Sequence, residues 1–133
     1  MADSEVSGTT LLAGISDESA ARLTADGVIE VPAGQVLAQA GDHGGGMFVV
    51  LDGTVVVERG DLHIEMGRDG FFGELALLVP DSPRIARVRA VSDARLLAVS
   101  RETFDDLLET EPSFARALLR EIAARLVQAR TGH

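Results

Sequence analysis

Short β-branched runs dominate the first two-thirds of the chain: Val28-Ile29-Glu30-Val31, Gln35-Val36-Leu37-Ala38, Met47-Phe48-Val49-Val50-Leu51 and Thr54-Val55-Val56-Val57-Glu58. Pro32-Ala33-Gly34, Gly41-Asp42 and Gly44-Gly45-Gly46 punctuate them with residues that suit turns. Asp52-Gly53, between two apolar runs, predicts a hairpin, because both residue types accept the positive φ of a tight turn. Gly60-Asp61 predicts a second hairpin leading into Leu62-His63-Ile64-Glu65-Met66, and further strands are expected at Ile85–Val91 and Ala94–Val99. Many short strands with evenly spaced turns indicate an antiparallel β-roll or jelly-roll barrel.

Helical patterns flank this region. Residues 1 to about 10 are small and polar and are expected to form a flexible arm, leaving 11–133 as one domain. A short helix is expected next, with Ser16 or Asp17 as its N-cap, Ser19-Ala20-Ala21-Arg22-Leu23 as its body and Gly27 as its stop. After Ser100 the period turns helical again. Thr103–Glu109 is one short helix, and Pro112, suited to a first helical position, opens a longer one to about Arg130. Ala115, Leu118, Leu119, Ile122, Leu126 and Ala129 form its apolar stripe, which serves either the core or a seam between two copies. The expected architecture is mainly β with flanking helices.

Composition narrows the chemistry. At 133 residues the chain is the size of one domain, and with 46% hydrophobic and 25% charged residues it has the balance of a globular one. No apolar run approaches the ~20 residues of a membrane-spanning helix. With no Cys, thiolate metal sites, disulfides and Cys nucleophiles are excluded. All 12 basic residues are Arg, so Lys-dependent phosphate loops and Schiff-base chemistry are excluded as well. The net charge of −9 opposes nucleic acid and anionic membranes, so an anion would need a local cluster to hold it. Met1-Ala2-Asp3-Ser4-Glu5 has neither the basic nor the apolar region of a signal peptide, so a cytoplasmic location is expected. His43 and His63, the only internal histidines, lack the spacing of a metal-binding barrel and are read as loop and strand residues. No nucleophile–base pair stands out, so no enzymatic activity is expected.

One segment carries candidate chemistry: Gly70-Phe71-Phe72-Gly73-Glu74-Leu75-Ala76-Leu77-Leu78-Val79-Pro80, followed by Asp81-Ser82-Pro83-Arg84-Ile85-Ala86-Arg87-Val88-Arg89-Ala90. Glu74 to Leu78 are good helix formers and Pro80 stops them, which predicts a single helical turn inside a β region. Gly73 lets the backbone approach closely, and the amides of Glu74, Leu75 and Ala76 face outward as anion donors. Arg84 adds a planar fork suited to phosphate oxygens. A carboxylate beside an anion site makes sense when the ligand also presents hydroxyls, which Glu74 accepts. Amides and Arg for a phosphate, with Glu for a sugar, describe a pocket for a phosphorylated ribose.

Phe72-Gly73-Glu74-Leu75-Ala76-Leu77 and Pro83-Arg84-x-Ala86-x-Val88-x-Ala90 resemble the phosphate-binding cassette of the cyclic nucleotide-binding domain family. That family includes catabolite-activator-type sensors and the regulatory subunits of cyclic-AMP-dependent protein kinase. Val31-Pro32-Ala33-Gly34, Gly41-Asp42 and Met47–Gly53 follow in the family's order, so the likeness covers nearly the whole chain. The resemblance implies that Glu74 holds the ribose hydroxyl and Arg84 the exocyclic phosphate oxygens. Gly73, Leu75, Ala76 and the amide of Ile85 would complete the phosphate cage, and Ile64 and Met66 would line the purine side. Where the family places a small or hydroxylated residue after the Arg, this chain has Ile85, which offers no hydroxyl to a guanine. Cyclic AMP is therefore the expected ligand, with no other cofactor and no metal. Arg125, Gln128 and Arg130 are the candidates for closing over the base. The resemblance further implies a sensor with a protein effector, working through the last helix, whose apolar stripe is a candidate homodimer seam. The alternative is a barrel without a ligand, kept as a protein–protein interaction module.

Overall fold

The computed structural model describes residues 2–39, 46–79 and 86–131. Among these residues, eight strands form two antiparallel sheets of four, ordered β1-β8-β3-β6 and β2-β7-β4-β5. The first contains β1 (Val28–Val31), β3 (Gly46–Asp52), β6 (Phe71–Phe72) and β8 (Ala94–Ser100); the second contains β2 (Val36–Ala38), β4 (Val55–Arg59), β5 (Leu62–Met66) and β7 (Arg87–Ala90). Among the described residues the helices are α1 (Ala2–Ser7), α2 (Asp17–Gly27), α3 (Glu74–Leu78), α4 (Arg101–Thr110) and α5 (Pro112–Thr131). The expected β-roll with flanking helices is the architecture observed.

The cores follow from the alternation of side chains along the strands. Met47, Val49 and Leu51 of β3 and Leu97 and Val99 of β8 face the helices, meeting Leu11, Leu12, Leu23, Phe104, Phe114 and Leu118 in one cluster. Val50 and Leu96 face the other sheet, where they meet Phe72, Val55, Val88 and Ala90 in a second cluster. A sheet covered on both faces must be apolar on both, which is why β3 and β8 read as near-continuous apolar runs. Phe104 and Phe114 meet edge to face with centroids 5.8 Å apart, tying α4 to α5.

Ser16, one of the two cap candidates, is the N-cap of α2, its Oγ accepting from the Ser19 amide at 3.2 Å. Glu111, at the α4–α5 junction, accepts from the Ser16 amide, the Ser16 hydroxyl and the buried Ser19 hydroxyl at 3.0, 2.8 and 2.6 Å. The Ser19 hydroxyl first, and then Ser16, hold the Glu111 carboxyl below its ordinary range.

Two expectations differ from the structure. Asp52-Gly53 is a tight turn but not a hairpin: β3 pairs with β6 and β8, whereas β4 pairs with β5 and β7, so the turn carries the chain between sheets. Gly53 has φ 89°, and a Cβ there would stand 2.5 Å from the Asp93 carbonyl oxygen. The dipeptide thus reported a positive φ correctly, which says nothing of whether the strands beside it pair. The hairpin expected at Gly60-Asp61 does form, joining β4 to β5 in register from Val55↔Met66 to Arg59↔Leu62.

The stretch read as a flexible arm contains α1, with Val6 and Thr9 buried. Glu5 pairs with Arg95 of β8 at 3.2 Å, and the Thr10 amide donates to Asp69 Oδ1 at 2.6 Å. Few apolar residues mark this segment; tertiary contacts hold it. Pro80–Ile85, Ala40–Gly45 and His43 among them, lie outside the described residues.

Candidate functional site

The second sheet is finished differently from the first. β5 is exposed along most of its length, and Leu62 and Ile64 leave 55% and 49% of their surface open. Val57 and Arg59 of β4 lie on the same face, opposite Ile64 and Leu62 in register. With Met66, Val88 and the segment from Phe71 to Ala76, they line a cavity of about 530 Å³. That size suits a small organic ligand, and the wall is largely apolar with a few polar groups at its ends. A smaller cavity of about 270 Å³, between α2, β8 and α4, contains none of the candidate residues.

Local sequence explains how the Glu74 end is built. β6 is only two residues long; Phe48 pairs with Phe72 across it, their rings stacked at 5.1 Å. Gly73 then turns the chain at φ 95°, a conformation that strains any residue with a Cβ, and serves as N-cap of α3. Glu74 follows as the first helical residue, 4% exposed yet bordering the cavity. Burial of a carboxylate demands compensation. Arg125 of α5 provides it: Nη1 donates to Glu74 Oε2 at 3.2 Å, Nη2 donates to the Phe71 carbonyl at 2.8 Å, and the guanidinium lies 3.9 Å above the Phe71 ring. A cation stacked on an aromatic face while donating in its own plane uses all of its recognition chemistry at once.

The cavity therefore brings together Gly73, Glu74, Leu75 and Ala76 with Ile64 and Met66 from the facing hairpin. Arg125 and Gln128, two of the three residues considered for closing the site, also line it. They stand three positions apart, so they share a face of α5. The side chain of Arg130 and the whole of Arg84 and Ile85 lie outside the described residues. Sequence reasoning passed over Phe71, which supplies both the ring and the carbonyl that seat Arg125, and Arg59, which also lines the cavity. Among the described charged residues of the lining, Glu74 is paired with Arg125, and Arg59 adds a further cation.

Outside the cavity, the same sheet carries Glu58 with Arg89 at 3.3 Å, Arg87 at 3.5 Å and His63 at 3.8 Å. The hydrogen bond from Arg89 leads in holding the Glu58 carboxyl below its ordinary range. Arg87 and Arg89 alternate along β7 and both reach Glu58 from it.

Comparison with known proteins decides the family. Residues 28–111 match the model of the cyclic nucleotide-binding domain. The chain belongs to that family. It is 36% identical over 95 residues to a cyclic nucleotide-gated potassium channel of Rhizobium etli, covering 71% of this chain and 26% of the channel. A structure from a study of a cyclic-GMP-dependent signalling pathway in bacterial phytopathogenesis matches with a TM-score of 0.72 and 32% identity, over 86% of this chain and 95% of that one. The catabolite activator protein of Thermus thermophilus matches with a TM-score of 0.78 and 29% identity, over 92% of this chain and 60% of that one. The chain thus spans about a quarter of the length of the channel it resembles. Domains of this family are regulatory rather than catalytic, and no helix among the described residues is long and apolar enough to cross a membrane.

Proposed function

We propose that this cyclic nucleotide-binding domain is a cytoplasmic sensor that takes cyclic AMP in preference to cyclic GMP, catalyses no reaction and reports occupancy through α5. The observation that carries the reading is the buried Glu74 at the border of an apolar cavity, behind the left-handed Gly73. A carboxylate there accepts from a ribose hydroxyl, while the apolar wall of Val57, Ile64 and Met66 suits the face of a purine. Gly73, Leu75, Ala76, Arg84 and the Ile85 amide take the cyclic phosphate, as the family resemblance implies. Two features support adenine. Ile85 has no hydroxyl for a guanine, and Gln128 brings an amide whose paired donor and acceptor match the N6 and N7 edge of adenine.

Occupancy reaches α5 through Arg125, which contacts Glu74 and Phe71 directly. A ligand that favours the docked helix shifts the population toward it, and an effector reading that helix completes the response. Leu119 and Leu126, 69% and 59% exposed and seven residues apart, fit a seam with a second copy of the chain.

A thermal-shift panel of cyclic AMP, cyclic GMP and 5′-AMP tests this reading. A ligand selective for the native state raises the melting midpoint progressively with concentration. The midpoint should rise most with cyclic AMP, less with cyclic GMP and least with the uncyclised nucleotide. Identical midpoints across the panel would leave the barrel as a ligand-free interaction module.

A further inference from the structure

α3 has only five residues, too few to hold a helix by their own hydrogen bonds, yet it carries Glu74, Leu75 and Ala76 of the cavity lining. Its position must be imposed from outside. Arg125 grips the first residue. The far end is gripped by a residue that does not line the cavity at all: Arg101 Nη2 donates to the Ala76 carbonyl at 3.2 Å and Nη1 reaches the Leu77 carbonyl at 3.5 Å.

Arg101 is out of place by local rules. It is the first residue of α4, directly after the cap Ser100, where the positive end of the helix dipole disfavours a cation. The carbonyls that end α3 lack partners within so short a helix and point the negative end of their dipoles outward. A guanidinium donating to two of them satisfies both, which accounts for the charge at that position. A local preference overridden at one residue signals that the residue answers to something beyond its own element.

We propose that Arg101 is a positioning residue: it holds α3, and with it Glu74, in the geometry that receives the ligand, and so links the site to α4. The inference rests on the proposed function for its effect on affinity, but not for the grip itself. Together, Arg101 and Arg125 close a loop of contacts from α3 through α4 and α5 back to α3. Ligand that fixes α3 therefore favours docking of both C-terminal helices, and docking of the helices favours ligand by the same factor.

The test compares the wild-type chain with Arg101→Ala and Arg101→Lys. Cyclic AMP affinity is measured by calorimetry, the melting midpoint without ligand by calorimetric scan, and amide exchange at Val79 by NMR. The Val79 amide donates to the Leu75 carbonyl at 2.9 Å and so reports whether α3 is formed. For Arg101→Ala we expect affinity to fall about tenfold, the size of one or two charge-assisted hydrogen bonds. Val79 exchange should accelerate, with little change in the ligand-free midpoint. Arg101→Lys, which keeps a charged donor, should recover part of the affinity and of the protection. Unchanged affinity in Arg101→Ala would overturn the proposal. So would an affinity loss that tracks a fallen midpoint and is not relieved by Lys, since Arg101 would then serve only general stability. If the wild-type chain took up no cyclic nucleotide, the proposed function would fall, while Val79 exchange would still decide whether Arg101 holds α3.

Discussion

The two sheets are made of similar strands and end in different states. The β1-β8-β3-β6 sheet is covered on both faces, by helices on one side and the opposite sheet on the other, and its central residues Val50, Leu51, Leu96 and Leu97 are fully buried. The β2-β7-β4-β5 sheet leaves Leu62 and Ile64 half open beside a cavity. Apolar side chains in a strand normally mean core. Beside a cavity, the same side chains are where the proposed ligand would pack. The first sheet carries the helical core and lends only β6 to the cavity, the second carries most of the strand wall of the cavity, and α3 is held by Arg101 and Arg125 from the helical side.

That division can be broken by experiment, most forcefully on the packed side. Phe104→Ala removes a fully buried ring from the helical core and should lower stability by about 4 kcal/mol in denaturant titration. If the protein still folds, its affinity for cyclic AMP should change far less than its stability. A proportionate loss of both would mean that the two halves are not separable.

Glu74→Gln probes the opposite half. It keeps the shape of the side chain and removes the charge that meets Arg125 and, in the proposed function, the ribose hydroxyl. Affinity for cyclic AMP should fall roughly 30-fold, the cost of weakened hydrogen bonds to a charged group. Calorimetry would show this directly; an affinity within a factor of two would remove Glu74 from the site.

Glu111 sharpens the comparison by pH. Its carboxyl titrates below the ordinary value of 4.5 because Ser19, then Ser16, donate to it in the fold. A depressed folded value means that its contribution is present above the unfolded value and is lost as pH falls through the folded one. Stability of the wild-type chain should therefore decline more steeply below pH ~4.5 than that of Glu111→Gln. Parallel stability curves in acid would show that the α2 cap does not depend on this charge.

The smallest effect belongs to the open sheet. Leu62→Ser should change stability by no more than about 0.5 kcal/mol, because the side chain is already more than half exposed. Its affinity for nucleotide should weaken a few-fold, read in the same titration. A large fall in stability would place Leu62 in the core and erase the distinction between the sheets.

How much of this was legible without a structure follows the same line. Strands β1 to β5, β7 and β8 announce themselves through β-branched runs and turn residues, since both signals are local. β6 does not, because two phenylalanines become a strand only when Phe48 and Val49 lie opposite them. The turn at Asp52-Gly53 was visible, but its crossing between sheets depends on which strands pair, and pairing is decided far along the chain at β7 and β8. Within the site, Gly73 and Glu74 stand out by residue type and spacing. The contacts of Arg125 join positions 51 and 54 residues apart, and no pattern along the chain encodes them. Arg101 left one trace, a cation at the start of a helix, which gains meaning only beside the end of α3.

The measurement that tests the central claim most directly is a calorimetric titration of the nucleotide-stripped chain with cyclic AMP and cyclic GMP, run beside Arg84→Ala. A cyclic-AMP sensor should show saturable one-site binding of cyclic AMP at micromolar or tighter affinity, weaker binding of cyclic GMP, and loss of both in the variant. Heats of dilution alone for both nucleotides, or binding that Arg84→Ala leaves intact, would contradict the proposed function.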